Sequence, residues 1–203
     1  MFGLSQSTRV DRRIPKEKLY LNAKLTPQVR DAIKNDIESI IWRNKLAQDT
    51  LGLSTGQTVQ EIEVFEVQLR QKSLDTRVLS AIAQAIPYKI LFVLTFGGEA
   101  QAWIEASGTF YNTAWSALDD FTIRLEGLNL DSVYENLARQ IAADHLDGAG
   151  DLAEAVDRDR RRQKLEREIA VLERRILHEK QFNRQVEMNN ELKQLLTKME
   201  RLR

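Results

Sequence analysis

The sequence predicts an α+β protein, in which a compact mixed sheet with flanking helices precedes a long C-terminal coiled-coil helix. Short apolar segments of strand length alternate with amphipathic segments of helical periodicity as far as about residue 147. From residue 152 onwards the chain has no glycine or proline, and Arg, Glu, Lys, Gln and Leu dominate. We therefore expect three regions: a basic N-terminal arm (1–24), an α+β domain (25–147) and a coiled coil (152–203).

The first elements follow from local signals. Pro15 disfavours a helical conformation of the residue before it, so residues 1–24 are expected to be extended. Thr26 and Pro27 suit the N-cap and the first position of a helix, and apolar residues at helical spacing carry that helix into the high thirties. The following SIIWRNKLA could prolong the helix, but its β-branched and aromatic residues favour a strand.

The stretch EIEVFEVQLRQK at 61–72 is the next predicted strand, and it holds three glutamates in six positions. Its apolar residues change from even to odd positions, which a regular strand cannot place on one face. A β-bulge near Val64–Phe65 would restore a single polar face and bring Glu61, Glu63 and Glu66 together on it. Without a bulge, the strand is buried on different faces at its two ends. We expect these three carboxylates to face solvent.

The remaining elements of the domain have clear boundaries. SLDTRVLSAIAQAIP reads as a helix that Pro87 ends, and YKILFVLTF as a central strand covered on both faces. Gly97–Gly98 joins that strand to EAQAWIEAS in a hairpin, and GTFYNTAW follows as another strand. FTIRL is either a short strand or the approach to the helix NLDSVYENLARQIAA, whose N-cap is Asn129. DGAGD at 147–151 reads as a linker.

The C-terminal region predicts a coiled coil. Apolar residues step by four and three positions in its first half and resume in a shifted phase after a discontinuity around 177–182. A helix of about 50 residues would be about 75 Å long. Its apolar stripe needs a second copy, a fold-back hairpin or another protein to cover it. The expected interface consists of Leu165, Ile169, Leu172, Ile176, Phe182, Leu192, Leu196 and Met199.

Composition limits the chemistry available to the chain. Without cysteine it has no disulfide, thiolate zinc site or cysteine nucleophile, and its two histidines, His145 and His178, do not make a zinc site. The sequence has neither a phosphate-binding glycine loop nor a GxSxG motif, and we expect no cofactor. The N-terminus lacks an apolar segment of signal-peptide length, and no apolar run is long enough to cross a bilayer. A cytoplasmic protein without a membrane partner is therefore expected.

Charge is unevenly distributed along a chain whose formal net charge is zero. Residues 1–24 carry a net charge of +4, 25–150 carry −7 and 151–203 carry +3. The basic clusters RVDRRIPKEK and RDRRRQK suit contact with a phosphate backbone, although pairing with neighbouring acids on a helix explains the second cluster equally well. The candidate nucleic-acid contacts are Arg9, Arg12, Arg13, Lys16, Arg158, Arg160, Arg161, Arg162 and Lys164.

Five stretches together resemble a bacterial family of domains of unknown function, family 4391. They are FGLSQSTRVDRRIPKEKLY, SIIWRNKLA, EIEVFEVQL, AIPYKILFVL and LEGLNLDSVYENLARQIA. They occur in the family's order and cover about residues 2–145. The resemblance implies a small companion of helicase and DNA-methyltransferase genes in bacterial defence or restriction-type clusters, and it brings no catalytic residues with it.

A domain without a recognised catalytic motif, beside a helix that needs a partner, favours a non-catalytic accessory or scaffolding subunit of a bacterial nucleic-acid-processing complex. Its partner is a second copy or a larger helicase or methyltransferase, bound through the coiled coil. Two alternatives stay open. One is direct nucleic-acid binding by the basic clusters. The other is a divergent metal-dependent nuclease that uses Glu63 and Glu66, because PD-(D/E)xK nucleases place two acids and a lysine on adjacent strands. Here EVQ at 66–68 has Gln in place of that lysine.

Overall fold

A mixed sheet of seven strands is the core of the first of two compact units, Met1–Asp144 and His145–Arg203. The structure is a computed structural model, and it describes residues 2–22, 25–146 and 150–202. Six strands lie side by side in chain order, and the seventh pairs with the fifth. The strands are β1 (Arg9–Arg13), β2 (Ile37–Leu46), β3 (Ile62–Leu69), β4 (Lys89–Phe96), β5 (Glu99–Ala106), β6 (Thr109–Asn112) and β7 (Ser116–Ala117).

Helices connect the strands, and the predicted α+β class is confirmed. β3 and β4 are parallel because a helix carries the chain back between them, whereas the other strand pairs of the sheet are antiparallel. No helix within the described residues is apolar over a length that would cross a bilayer. The helices are α1 (Lys16–Asn22), α2 (Pro27–Asp36), α3 (Gln48–Leu51), α4 (Thr76–Gln84), α5 (Leu130–Ala142), α6 (Leu152–His178) and α7 (Phe182–Glu200).

The apolar core lies on both faces of the central strands β3 and β4. On one face, Ile33 of α2 and Ile82 of α4 belong to a buried cluster with Phe65 and Phe92. The intervening positions, such as Leu91, are equally buried, and α5 packs against β5 and β6. β4 is therefore a strand covered on both faces, as its continuous apolar run predicts.

The local signals for helix starts and tight turns are confirmed. Thr26 Oγ1 accepts a hydrogen bond from the Val29 amide (3.4 Å), and Asn129 Oδ1 accepts one from the Ser132 amide (2.9 Å). Gly97–Gly98 joins β4 to β5, and both residues have positive φ values of 58° and 82°, which glycine adopts without strain. FTIRL forms neither a strand nor a helix and leads into α5 as an irregular segment.

Most of the predicted N-terminal arm belongs to the sheet unit. β1 pairs with β2 as an edge strand, and its register is irregular between Arg9 and Arg12. Asp11 lies in this irregularity with a φ of 50°. A bulge and exposed charged residues oppose the addition of a further strand at such an edge. Extended backbone was expected throughout residues 1–24, which is wrong for Lys16–Asn22, because these residues form α1. Pro15 restricts only the residue before it, and the pairing of β1 with a strand about 30 residues later was not predictable.

The predicted bulge lies in β2 instead of β3. β3 pairs with β4 without a shift, whereas the register between β2 and β3 changes twice, at Glu38 and at Arg43 of β2. β3 therefore alternates regularly and places Glu63 and Glu66 on opposite faces. Both are buried, with exposed fractions of 4% and 7%, so the expectation that they face solvent is wrong. The strand lies in the middle of the sheet, where neighbours cover both faces.

The C-terminal region is a hairpin of two helices, which is the fold-back alternative that the sequence left open, and not a continuous helix of about 50 residues. α6 has 27 residues, α7 has 19, and Glu179–Gln181 between them are not helical. This break falls within the discontinuity predicted at 177–182. The helices pack antiparallel, so that Leu165 and Leu202 line one depression and Leu172 and Leu195 line the next. The linker predicted at 147–151 lies outside the described residues, except for Gly150 and Asp151.

Candidate functional site

The acidic stretch of β3 supplies one buried and fully engaged carboxylate. Glu66 Oε2 accepts a hydrogen bond from Arg43 Nε (2.5 Å), and Glu66 Oε1 accepts one from Thr95 Oγ1 (3.2 Å). Arg43 also pairs with Asp11 at 3.0 Å. Burial lowers the pKa of Arg43, but the hydrogen bonds with both carboxylates raise it further than burial lowers it. This network joins four adjacent strands, β1 to β4, through polar side chains.

Glu63, on the opposite face of β3, is buried without a complete set of partners. Its Oε2 atom is the one buried side-chain oxygen or nitrogen in the described ranges that has no hydrogen-bond partner. Burial, opposed by a hydrogen bond from Trp42 and reinforced by Glu61, raises the pKa of Glu63 to about 7. Glu61 itself pairs with Lys45 at 3.5 Å. Near neutral pH this carboxyl group is therefore close to its titration midpoint.

A polar pocket of about 470 Å³ opens at the carboxyl ends of the parallel strands β3 and β4. Its lining includes Glu38, Glu66, Gln68 and Thr95, and Ser39 Oγ donates to Gln68 Oε1 (3.1 Å). Ligands commonly bind outside the carboxyl ends of strands in open α/β sheets. The acid that shares a pocket with Glu66 is thus Glu38 and not Glu63. Among the residues described, no group of three or more His, Asp or Glu is placed to hold a metal ion.

Two of the four candidate basic residues near the N-terminus form contacts within the protein. Arg9 pairs with Asp11. The Lys16 ammonium donates to the backbone carbonyl of Ile37, and burial lowers the pKa of Lys16. The other two candidate contacts, Arg12 and Arg13, are exposed on the edge strand β1.

The second basic cluster lies on α6 and is largely paired with acids of the same helix. Arg158 and Arg160 are also engaged in contacts. Contact of either cluster with nucleic acid stays a prediction. The ion pairs three or four positions apart join Arg161 to Asp157 (2.6 Å), Arg162 to Asp159 (2.8 Å) and Lys164 to Glu168 (3.9 Å).

The histidines lie in the second unit and have different surroundings. Asp159 is 2% exposed and lies 3.1 Å from His145 Nδ1, and it accepts hydrogen bonds from Arg162 and Gln163 at 2.8 Å each. His178 is exposed at the end of α6. The buried carboxylate thus holds the imidazole of His145 near the start of the helical hairpin.

The predicted coiled-coil residues divide into a covered and an exposed set. The hairpin buries Ile169 and Leu172 and half-buries Leu165, Ile176, Leu192 and Met199. Phe182 is 76% exposed because it begins α7 at the turn, and Leu177, one residue before the end of α6, is 80% exposed. The remaining exposed apolar residues of the hairpin are Val171, Val186 and Leu196. Folding back therefore covers only part of the apolar surface of these two helices.

A groove with an apolar floor runs along one side of the hairpin, between α6 and α7. It consists of two adjoining depressions of about 380 and 350 Å³ that share Glu168. The floor residues recur at helical spacing on both helices, so the groove follows the helix axes. The floor consists of Leu165, Val171, Leu172, Leu195 and Leu202.

Sequence reasoning missed three residues that organise the first unit. Arg43 is the cation that neutralises Glu66, and it gave no distinct signal, because its strand contains several other polar residues. Glu38 follows the end of α2 and gave no signal of its own. Asp131 accepts hydrogen bonds from the loop before β3, and Gly56 in that loop was the only hint of a close approach.

Comparison with known proteins identifies the family. No curated protein matches the chain, and no solved structure matches it. The profile of the family described as "Domain of unknown function (DUF4391)" matches residues 2–199. The match therefore includes the helical hairpin as well as the sheet unit, and extends beyond the stretches at 2–145 that suggested the family. The chain belongs to the DUF4391 family of domains of unknown function.

Proposed function

We propose that the protein is a non-catalytic accessory subunit of a bacterial nucleic-acid-processing complex, and that it binds its partner through the helical hairpin α6–α7. The apolar surface that the hairpin leaves exposed carries this proposal. Leu177 and Phe182 are 80% and 76% exposed at the turn between the two helices. Single exposed apolar residues are common on proteins, but two large ones on either side of the same helix turn suit an interaction site.

The nucleic-acid setting of the proposal comes from the family resemblance. That resemblance suggests a companion of helicases and DNA methyltransferases in defence or restriction-type clusters. An accessory subunit needs a docking surface but no catalytic group, and the hairpin supplies such a surface. The partner is a larger enzyme of this kind or a second copy of the chain.

We expect the chain, tagged at its N-terminus and purified from the cells that encode it, to retain a helicase or methyltransferase or to have the mass of an oligomer by light scattering. Leu177→Asp combined with Phe182→Asp should weaken this association at least about tenfold, since a charge at a desolvated apolar contact is costly. The matched control is Gln181→Asp with Asn183→Asp, which adds the same charge at exposed positions of the same turn. A monomer that retains no such enzyme contradicts the proposal.

A divergent metal-dependent nuclease is the second candidate function, and one observation favours it. Glu38, Glu66 and Gln68 line one pocket at the carboxyl ends of β3 and β4, and carboxylate and amide oxygens suit magnesium. In this nuclease hypothesis the second acid beside Glu66 is Glu38, whereas the sequence suggested Glu63. Both oxygens of Glu66 already accept hydrogen bonds, from Arg43 and Thr95, so a cation would have to displace one donor. The proposal therefore ranks second.

If the pocket cleaves nucleic acid, the chain should degrade DNA in the presence of magnesium or manganese, and Glu38→Gln should reduce the rate at least about 100-fold. Glu38 is exposed, so this change leaves the core intact. Glu63→Gln is the matched control, since Glu63 faces away from the pocket, and it should retain the wild-type rate. Unchanged DNA after incubation with the wild-type chain ends this candidate.

A further inference from the structure

We infer that the groove between α6 and α7 binds an acidic amphipathic helix of the partner protein, which would complete a three-helix bundle. The inference rests on the proposed function, in which the hairpin is the docking surface, and it specifies the chemistry of the segment that docks. The groove is separate from the exposed turn at Leu177 and Phe182. It is formed by residues further along both helices.

The shape of the groove suits one helix. Two packed helices bury only the sides that face each other, and a third helix is the simplest element that covers the remaining apolar side. The groove residues span Arg161–Arg175 on α6 and Glu191–Leu202 on α7 and the turn that follows it. At 1.5 Å per residue these spans are about 21 and 17 Å long, which corresponds to a helix of about 11 to 14 residues.

The charge of the rim indicates the chemical character of the helix that binds in the groove. Six cations and two carboxylates, Glu168 and Glu191, surround the apolar floor. Two of the cations have acidic neighbours on α6, Asp157 for Arg161 and Glu168 for Lys164. The other four form no ion pair with any residue that the structure describes. The six cations are Arg161, Lys164, Arg167, Arg175, Lys198 and Arg201.

The charge of the rim also distinguishes between two possible occupants of the groove, an acidic helix and a second copy of this hairpin. A second copy would place its own six cations against the same rim, and like charges across an interface oppose association. A helix with an apolar stripe between acidic flanks fills the floor and neutralises the rim at once. The groove is therefore complementary to an acidic partner helix and not to itself.

The test uses two synthetic helical peptides of the same length with the same leucine stripe, one with glutamate flanks and one with lysine flanks. Fluorescence anisotropy of labelled peptide with the full chain should show at least tenfold tighter binding of the glutamate peptide, and the difference should shrink in high salt. Leu195→Asp, in the floor, should abolish binding of both peptides. Reversing the rim with Lys164→Glu, Lys198→Glu and Arg201→Glu should invert the preference. The matched control reverses three exposed cations outside the groove: Lys180→Glu, Arg184→Glu and Lys193→Glu.

Circular dichroism of each variant checks that both helices remain folded. Equal binding of the two peptides, binding of neither peptide, or wild-type binding by Leu195→Asp overturns the inference. A dimer that Leu195→Asp converts to a monomer overturns it as well, because the groove then holds a second copy. None of these results contradicts the proposed function if the chain with Leu177→Asp and Phe182→Asp fails to retain the native partner.

Discussion

Replacing Asp131 by alanine is expected to lower the free energy of unfolding by about 3 kcal/mol, because its carboxylate holds the loop before β3 in place. Asp131 lies in the first turn of α5. It accepts hydrogen bonds from the amides of Gln57 (2.6 Å), Thr58 (3.2 Å) and Val59 (2.8 Å), and from Thr58 Oγ1 (2.8 Å). Each hydrogen bond to a charged group contributes about 1.5–3 kcal/mol, but bonds to one carboxylate are not additive.

The measurement is urea unfolding at pH 7 followed by tryptophan fluorescence, with Asp119→Ala, at an exposed position, as the control. Burial raises the pKa of Asp131, but the hydrogen bonds from Thr58, Val59 and Gln57 outweigh burial and lower that pKa below its usual 3.8. A carboxyl group with a lowered pKa stabilises the fold above pH 3.8, and this contribution is lost as the pH falls through the lowered value. The wild type and Asp131→Ala should therefore converge at strongly acid pH.

Gly56→Ala tests the same contact from the loop side without changing any charge. A Cβ atom at Gly56 would lie 2.2 Å from the carboxyl carbon of Asp131, so the carboxylate would have to move away from the amides. Gly56→Ala should then destabilise the wild type but have much less effect in the Asp131→Ala background. Equal costs in both backgrounds, or an Asp131→Ala variant as stable as the wild type, would show that the carboxylate does not hold the loop.

The elements that the sequence predicted well have signals within a few residues of each other. α2 begins at a Thr–Pro pair, α5 at an asparagine cap, and β4 and β5 join at Gly97–Gly98. A cap or tight turn acts through neighbouring backbone groups, so the sequence contains the whole interaction. The parallel pairing of β3 and β4 was not predicted, although a helix between two strands allows it.

The features that the sequence missed depend on residues far apart in the chain. Glu66 is buried because Arg43 and Thr95 engage it, and these lie 23 and 29 residues away. The pattern of residues 61–72 alone suggested an exposed acidic face, since a strand segment with three glutamates is usually solvated on one side. The bulge was placed in β3 because only β3 was out of phase, whereas the extra residues, Glu38 and Arg43, are in its neighbour β2.

The C-terminal region shows what heptad spacing can predict and what it leaves open. It identified the apolar seam and the discontinuity, but a discontinuity is equally compatible with a locally unwound rod and with a turn. Ile169 and Leu172 are covered by α7, while Phe182 at the turn is exposed. The choice between a partner and a fold-back depended on contacts between α6 and α7, which the seam by itself does not specify.

Replacing Glu63 by glutamine is expected to raise the free energy of unfolding at pH 8 by about 3 kcal/mol. Burial raises the pKa of Glu63 to about 7 in the fold, against a usual value of 4.5. Between these two values the folded protein binds more protons than the unfolded chain, so wild-type stability falls as the pH rises through this range and stays lower above it. Glutamine carries no charge at any pH, so the Glu63→Gln variant does not lose stability as the pH rises through this range.

The measurement is urea unfolding at several pH values between 4 and 8.5, with Glu126→Gln, at an exposed position, as the control. The wild type and Glu63→Gln should have similar stability below about pH 4.5, where the carboxyl group is neutral in both states. The difference should grow up to about pH 7 and then remain constant. A wild type whose stability is the same at pH 5 and pH 8, or a Glu63→Gln variant no more stable at pH 8, would contradict the burial of an incompletely paired carboxylate.

Glu66→Gln should lower the free energy of unfolding at pH 8, whereas Glu63→Gln should raise it. The two substitutions make the same chemical change three positions apart on the same strand. Glu66 is the buried partner of Arg43 at 2.5 Å, and neutralising it leaves Arg43 with the more exposed Asp11 as its one carboxylate partner. Glu63 has no such cation in hydrogen-bonding contact, and its Oε2 atom is unpaired. Glu63→Gln should therefore stabilise the fold, while Glu66→Gln destabilises it by about 1.5–3 kcal/mol, the contribution of a hydrogen bond to a charged group. If both variants shifted stability in the same direction, the two faces of β3 would not differ in electrostatic environment as the structure requires.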